Sequence, residues 1–380
     1  MTCDSGASVY EFFAGGGLAR LGLAPHWRVA FANDIDPTKA AAYRRAFPNA
    51  PLREGDIWDL QAHDLPGRAG LAWASFPCQD LSLAGARGGL EAPRSGAFWG
   101  FWRLIKQLKD AGRAPPILVL ENVSGLLSSN AGADFAALGE ALAELGYHFG
   151  AVEIDASWFV PQSRPRVFIV AALQRPPPGL IASERHMPFH SPAMARAVDR
   201  LAQTAAQKWV WWRLPAPPRR NIDLAALIET NPSACWNSAE KTDRLLAMMS
   251  NAQRARIDAL QAQGASAVGA LFKRVRVENG AKVQRAEARF DGLAGCMRTP
   301  TGGSSRQTLV VIEQGHVRTR LISAREGARL MGVPDDYPLP ASQNAALQLI
   351  GDGVAVPVVR WLNENLLTPL ARAEVERARQ

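Results

Sequence analysis

The chain of 380 residues predicts an α/β fold: a mostly parallel sheet with helices on both faces, accompanied by a second, smaller domain. Three observations carry this. Short apolar runs alternate with helix-forming segments from Ser8 to about Val170, glycines follow the first apolar run directly, and the positive charge lies beyond this region. The runs VYEFFAGGG, RVAFAND, LAWASFP, ILVLEN and RVFIVAA have the length and the β-branched and aromatic content of buried strands. Between them, residues 18–23, 38–47, 98–111 and 134–145 have helical spacing and good helix formers. Strand, helix, strand, helix is the order that builds a parallel sheet, because parallel neighbours need a crossover connection.

The rhythm stops at QRPPPG, residues 174–179, where three consecutive prolines mark a boundary. A second domain is therefore expected to begin nearby. Within the second, Trp209, Trp211 and Trp212 are expected to be buried by packing rather than stacked on a ligand. Residues 272–289 alternate apolar and basic side chains around Asn279-Gly280, which reads as a hairpin with Arg274, Arg276, Arg285 and Arg289 on one face. Residues 323–331 read as a helix, and 350–366 as a turn and a closing helix.

Composition limits the function classes. Hydrophobic residues make up 47% and charged residues 21%, which fits a globular enzyme and not a disordered, collagen-like or coiled-coil chain. There is no uninterrupted apolar stretch near ~18 residues, and the first residues lack a basic segment followed by an apolar one, so neither membrane insertion nor secretion is expected. The four cysteines, Cys3, Cys78, Cys235 and Cys296, form no CxxC or Cys/His cluster. No metal site and no disulfide framework is expected, reduced thiols suit a cytoplasmic protein, and one thiol is available as a nucleophile. The net charge is +8, and residues 181–330 alone hold 23 Lys/Arg against 12 Asp/Glu. A surplus gathered in one region points to a polyanion, because neutralising phosphates requires clustered cations.

The first strand runs into Gly15-Gly16-Gly17, which lets a ligand approach the backbone at the carboxyl end of the strand. Carboxylates follow the next two strands: Asp34 in FANDID and Asp56 in EGDIWD. In a doubly wound sheet such acids face one crevice, where they bind ribose hydroxyls or an exocyclic amine. A nucleoside-containing cofactor is expected. Arg20 stands where GxGxxG would have its last glycine, so NAD fits poorly. ASFPCQDLSLAG then places Cys78 beyond a strand, the next strand ends in Glu121-Asn122-Val123, and QSRPR supplies Arg164 and Arg166 before another. A thiol, an acid and two guanidiniums on neighbouring strand ends form a catalytic set: arginine favours the thiolate and grips a carbonyl or phosphate, while a shielded Glu protonates a ring nitrogen.

On FAGGG, Asp34, Asp56, FPCQ, ENV, QSRPR, RLISAREGARLMGVP and GDGVAVPVV, in this order, the chain resembles the bacterial DNA (cytosine-5)-methyltransferases from about residue 9 to 366. The resemblance implies a Rossmann-like, S-adenosylmethionine-dependent sheet in residues 1–175 and 321–380, with a target-recognition domain in 176–320. It implies Cys78 as nucleophile on carbon 6 of cytosine, Glu121 on N3 and the 4-amino group, Arg166 on O2, and Arg164 orienting the nucleotide and its phosphate. It implies a cofactor site of Phe13, Ala14, Gly15, Gly17, Asp34, Ile35, Asp56, Ile57, Pro77, Phe98, Asp352 and Val354, with S-adenosylhomocysteine as product. The closing motif departs from the usual Gly-Asn: Asp352 keeps an oxygen acceptor but adds negative charge.

In similar chains CMRTPTGGSSRQ, residues 296–307, belongs to the recognition loops. Here Gly302 and Gly303 permit close backbone approach, while Arg298, Thr299, Ser304, Ser305 and Arg306 offer donors to phosphates or guanine edges; Arg274, Arg276, Arg285 and Arg289 are a second group of candidate contacts. Double-stranded DNA is the expected partner, the protein is expected to be a monomer in the cytoplasm at the nucleoid, and a cognate restriction endonuclease is the expected second member of its system. Two alternatives stay open: tRNA as substrate, and a catalytically silent DNA-binding protein. The large basic variable region favours duplex DNA, and the intact Cys78, Glu121, Arg164 and Arg166 favour catalysis.

Overall fold

The computed structural model describes residues 7–77, 96–229, 235–264, 266–278, 280–299 and 306–379. The chain forms two compact units. The first runs through Asp155, then Pro165–Pro217, and resumes from Val356; the second is Ala156–Arg164 with Pro218–Ala355.

The first unit holds a seven-stranded sheet: β1 (Ala7–Phe12), β2 (Trp27–Asp34), β3 (Leu52–Glu54), β4 (Leu71–Ala74), β5 (Ile117–Val123), β6 (His148–Asp155) and β7 (Pro165–Ala172). Their spatial order is β3-β2-β1-β4-β5-β7-β6. β1 to β5 are parallel, while β7 runs antiparallel to both β5 and β6. The order reverses between β1 and β4, the position at which doubly wound sheets open a ligand crevice. β4 is buried throughout, as expected of a strand covered on both faces. Helices α1 (Leu18–Leu23), α2 (Pro37–Ala46), α3 (Ala97–Asp110) and α4 (Ala133–Glu144) connect the strands, close to the expected bounds. α2 has a clear start: Asp36 accepts from the amides of Thr38 and Lys39, and Pro37 occupies the first helical position. A strand before Asp56 was anticipated without bounds, and β6 was not anticipated from sequence. Three residues are too few for a periodicity, and HFGAVEID interrupts its apolar alternation with Gly150 and Glu153.

Residues 176–217 continue this unit through a small ribbon, β8 (Ile181–Ala182) with β9 (Trp211–Trp212). Trp212 is fully buried, and Trp209 packs edge-on against Phe135 and Phe149, so these tryptophans serve packing. The closing helix Val356–Leu362 lies against α1 at Gly22, where a Cβ would sit 2.4 Å from Val359 Cβ. Trp27 Nε1 donates to Asn363 Oδ1 at 2.7 Å beside it. Among the described residues the run Gln343–Arg377 is apolar enough to span a bilayer, but 67% of its apolar window is buried in the protein.

The second unit is built on a four-stranded antiparallel sheet of order β11-β10-β12-β13, from β10 (Ala267–Glu278), β11 (Ala281–Arg289), β12 (Thr308–Glu313) and β13 (His316–Leu321). Leu245, Leu246 and Ile257 from helices Ala239–Ala247 and Asn251–Ala262 pack with Leu271, Val310 and Ile312 of the sheet. Residues 321–355 pack with this unit, because Arg320 of β13 and Glu326 of helix Ala324–Leu330 form a fully buried pair at 2.6 and 2.7 Å. Glu326 also closes a capping box with Ser323. Its carboxyl is held below the usual range: burial raises it, but Arg320 and the amides of Ser323 and Glu229 outweigh burial.

A second buried acid supports the turn after β1. Glu11 accepts from the Arg20 amide at 3.2 Å and from the Tyr43 hydroxyl at 2.7 Å, so it joins β1, α1 and α2. Burial pushes its carboxyl up to about 7 from about 4.5, against the lowering effect of those two bonds. An acid raised in this way favours the folded state below the unfolded value, and that stability is lost as pH rises through the folded one. The wild-type protein is therefore expected to lose on the order of 3 kcal/mol relative to Glu11→Gln between about pH 4.5 and about 7. Parallel urea titrations across that window check this, and a pH-independent difference would refute it.

Candidate active site

Of the candidate cofactor residues of the first unit, Phe13, Ala14, Gly15, Gly17, Asp34 and Ile35 lie at the carboxyl ends of β1 and β2, Asp56 and Ile57 follow β3, Pro77 follows β4, and Phe98 is in α3. Phe13, Gly15 and Gly17 all have positive φ, of 56°, 54° and 76°, so the chain after β1 turns in a conformation that suits glycine at two of the three positions. A Cβ at Gly15 would meet nothing within 4 Å, which leaves open space beside the turn; at Gly17 it would strike Phe47 and Tyr43. Gly15 thus leaves room for a ligand, and Gly17 lets the turn pack closely on Tyr43 and Phe47. The Asp34 carboxylate accepts from the Gly15 amide on one oxygen, at 2.7 Å, and from the Asp36 amide on the other, at 2.8 Å. Burial raises its pKa, opposed by those amides. Each oxygen retains a lone pair for a hydroxyl donor. Next to it Ile35 is 63% exposed, an apolar side chain left uncovered at the strand end.

Asp56 begins the short helix Ile57–Asp59 and accepts from the Trp58 amide at 3.0 Å. Asn33 holds the preceding turn by donating to the carbonyls of Arg53 and Gly55. Ala14, Ile57 and Phe98 are buried, and Phe98 is packed among Phe76, Trp99 and Trp102, so its ring is part of the core. Trp58, which the motifs did not single out, is 45% exposed beside Asp56. Open space at Gly15, a carboxylate with acceptor capacity and exposed apolar side chains fit a nucleoside with ribose hydroxyls. Asp352 and Val354 belong to the second unit, at the end of helix Gln343–Asp352 and just after it.

Glu121 and Arg166 meet in the first unit. In the antiparallel register Arg166 stands opposite Val123, which puts it on the same face as Glu121 two residues earlier. Arg166 Nε lies 3.3 Å from Glu121 Oε1. Both side chains are largely buried but open toward solvent, 15% and 8% exposed respectively. The Asn122 side chain donates to the Phe76 carbonyl at 3.3 Å, which ties the end of β5 to the chain leading through Pro77 toward Cys78. Cys78 itself lies outside the described residues, as do Gly302, Gly303, Ser304 and Ser305.

Arg164 belongs to the second unit and is only 2% exposed. Its guanidinium donates to the carbonyls of Met297, Gly351 and Gly353 at 3.0, 2.8 and 2.7 Å. A phosphate would have to displace them. Gln162, in the same motif, accepts from the Met297 amide and donates to the Leu330 carbonyl. Sequence reasoning gave it no role.

The hairpin forms as expected, and its arginines do share a face, but so do two glutamates. Arg276 Nε donates to Glu287 at 2.8 Å, Arg285 Nε to Glu278 at 2.8 Å, and Arg274 Nε lies 3.7 Å from Glu287. Arg289 pairs with Asp291. Glu278 and Glu287 have the same strand parity as the arginines, a signal the sequence contained. By contrast Arg298 is exposed and Arg306 half-buried, and no carboxylate among the described residues pairs with either. Thr299 is half-buried beside Arg298.

Comparison with known proteins identifies the family. The type II methyltransferase M2.BsuMI of Bacillus subtilis is 32% identical over 240 residues, which cover 61% of this chain and 60% of that protein. The type II methyltransferase M.SsoII of Shigella sonnei is 27% identical over 367 residues, covering 95% of this chain and 80% of that one. Among solved structures, the Entamoeba histolytica methyltransferase EhMeth has a similar fold with a TM-score of 0.61 at 13% identity, covering 98% of this chain and 99% of its own. The S. pombe Dnmt2 methyltransferase has a TM-score of 0.58 at 18% identity, with 96% and 99% covered. The profile of the C-5 cytosine-specific DNA methylases matches residues 7–368, and the chain belongs to that family.

Proposed function

We propose that this protein transfers a methyl group from S-adenosylmethionine to carbon 5 of a cytosine turned out of a specific duplex DNA sequence, through a covalent bond to Cys78. The Glu121–Arg166 pair carries the proposal, with Asn122 of the same strand end bonded to the Phe76 carbonyl, two residues before Cys78 in the sequence. The Cys78 thiolate adds to carbon 6 of the ring, and the ring electrons move toward carbon 5. Glu121 protonates N3 and accepts from the 4-amino group, so negative charge does not accumulate on the ring. Arg166 donates to O2 and holds the Glu121 carboxyl in place. Bound S-adenosylmethionine supplies an electrophilic methyl group. A base then removes the carbon-5 proton, the electrons return, the Cys78 sulfur leaves, and N3 gives its proton back to Glu121. Both faces of the ring are needed, so the base must leave the duplex stack.

Phe13, Ala14, Gly15, Gly17, Asp34, Ile35, Asp56, Ile57, Pro77 and Phe98 are the proposed cofactor residues of the first unit. Asp34 receives the ribose hydroxyls and Ile35 covers the adenine, while Ile57 and Phe98 act from the core behind them. Asp352 and Val354 are the second unit's proposed cofactor residues. Recognition of the target is assigned to residues 176–320, with Arg298, Thr299 and Arg306 as contacts. The paired hairpin arginines Arg274, Arg276 and Arg285 would first have to leave their glutamates. The enzyme is read as a cytoplasmic monomer that protects sites from a cognate endonuclease, in keeping with the type II names of its relatives.

Labelled methyl groups are expected to appear in duplex DNA and not in tRNA, and transfer to tRNA alone would change the substrate. Cys78→Ser should keep DNA binding and lose roughly three orders of magnitude or more in methyl transfer, as removing a nucleophile does elsewhere. Near-normal turnover would exclude the covalent route. Arg298→Ala and Arg306→Ala should each weaken DNA binding and lower the salt-dependence slope by about 1, leaving cofactor affinity intact. A parallel fall in cofactor affinity would remove both residues from the DNA contact.

A further inference from the structure

We infer that Arg164 is a positioning residue for target recognition, which fixes the base of the recognition loop from inside the second unit. The inference rests on the methylase reading and on the recognition role proposed for Arg298 and Thr299. Residues 161–164 run alongside 294–297: Gln162 bridges to Ala294, the Ser163 amide donates to the Ala294 carbonyl at 3.0 Å, and the Ala294 amide to the Pro161 carbonyl at 2.8 Å. Gln162 extends this by accepting from the Met297 amide at 2.9 Å. Arg164 then joins the Met297 carbonyl to those of Gly351 and Gly353 with one planar guanidinium, with Cys296 Sγ 3.3 Å away.

The next two residues are the proposed DNA contacts Arg298 and Thr299, whose backbone rests on Gly351. A Cβ there would lie 3.0 Å from both the Arg298 carbonyl carbon and the Thr299 amide nitrogen. Only a flat, multidentate donor satisfies carbonyls on two segments together, and lysine's single ammonium does not reproduce that geometry. Leaving buried carbonyls unpaired is costly, so the loop starts from one fixed place and direction. Arg298 and Thr299 anchored in this way are held in place before DNA arrives, which sharpens the choice between sites.

The test uses the full chain, after bisulfite sequencing of host DNA has identified the target. Methylation is compared on the target duplex and on one altered by a single base pair, for the wild type, Arg164→Lys and Gly351→Ala. Both variants are expected to lose roughly tenfold or more of the wild-type discrimination, a large part of what one base pair contributes. Single-turnover methylation at saturating target duplex and S-adenosylmethionine should stay within about threefold of wild type. A merely structural defect would slow both duplexes alike and leave the ratio unchanged, which would overturn the inference. A collapse of the saturating rate with discrimination intact would also overturn it, by making Arg164 a contact to the reacting nucleotide. If Arg164→Lys does not fold, Gly351→Ala decides on the same two readings. A wild type that methylates no duplex DNA defeats the methylase reading itself, a result distinct from the loss of this inference alone.

Discussion

The arrangement depends on one reversal of strand direction. β7 runs against β5, so its first residues arrive at the edge where β5 ends. Were β7 parallel, Arg166 would lie at the opposite edge of the sheet from Glu121. Antiparallel pairing brings an arginine from the start of one strand to an acid near the end of its neighbour, with 3.3 Å between them. The position is set by backbone hydrogen bonds along seven paired residues, so the pair is held by the sheet and not by a flexible loop.

The same edge receives the carboxyl ends of the parallel strands. β1 ends in the glycine turn and β2 in Asp34, and the amide of Gly15 binds the Asp34 carboxylate directly. On the other side of the switch, β4 leads through Phe76 and Pro77 toward Cys78, with Asn122 of β5 bonded to the Phe76 carbonyl. Proposed cofactor binding and proposed catalysis therefore draw on adjacent strand ends of one sheet. The buried Glu11 supports this edge from behind, joining β1 to α1 and α2.

Much of this was legible in the sequence, because the strands β1, β2, β4, β5 and β7 are continuous apolar runs and the helices between them have caps or glycines at their ends. β6 was not legible: its place is set by pairing with β7, a long-range contact that overrides a weak local pattern. Motif order identified Glu121 and Arg166 but not their different surroundings from Arg164, two residues away. That difference arises because β7 begins at Pro165: Arg166 is inside the strand and takes its place from the sheet, whereas Arg164 precedes it and belongs to the second unit. The hairpin shows the converse. Its arginines were read without Glu278 and Glu287, whose parity puts them on the same face, and a basic stripe became a set of ion pairs. Phe98 is enclosed by the aromatic cluster around α3, so its proposed part in the cofactor site is to back it from the core.

The central claim is that a sulfur atom adds to carbon 6 of an extruded cytosine, and it can be tested by blocking the last step. Duplexes carrying 5-fluorocytosine at the modified position have no carbon-5 proton to remove, so elimination cannot follow methyl transfer. Denaturing electrophoresis with S-adenosylmethionine should then show a covalent protein–DNA complex that includes the Cys78 peptide. Methylation of ordinary duplexes with no trapped complex on the fluorinated ones would contradict the account.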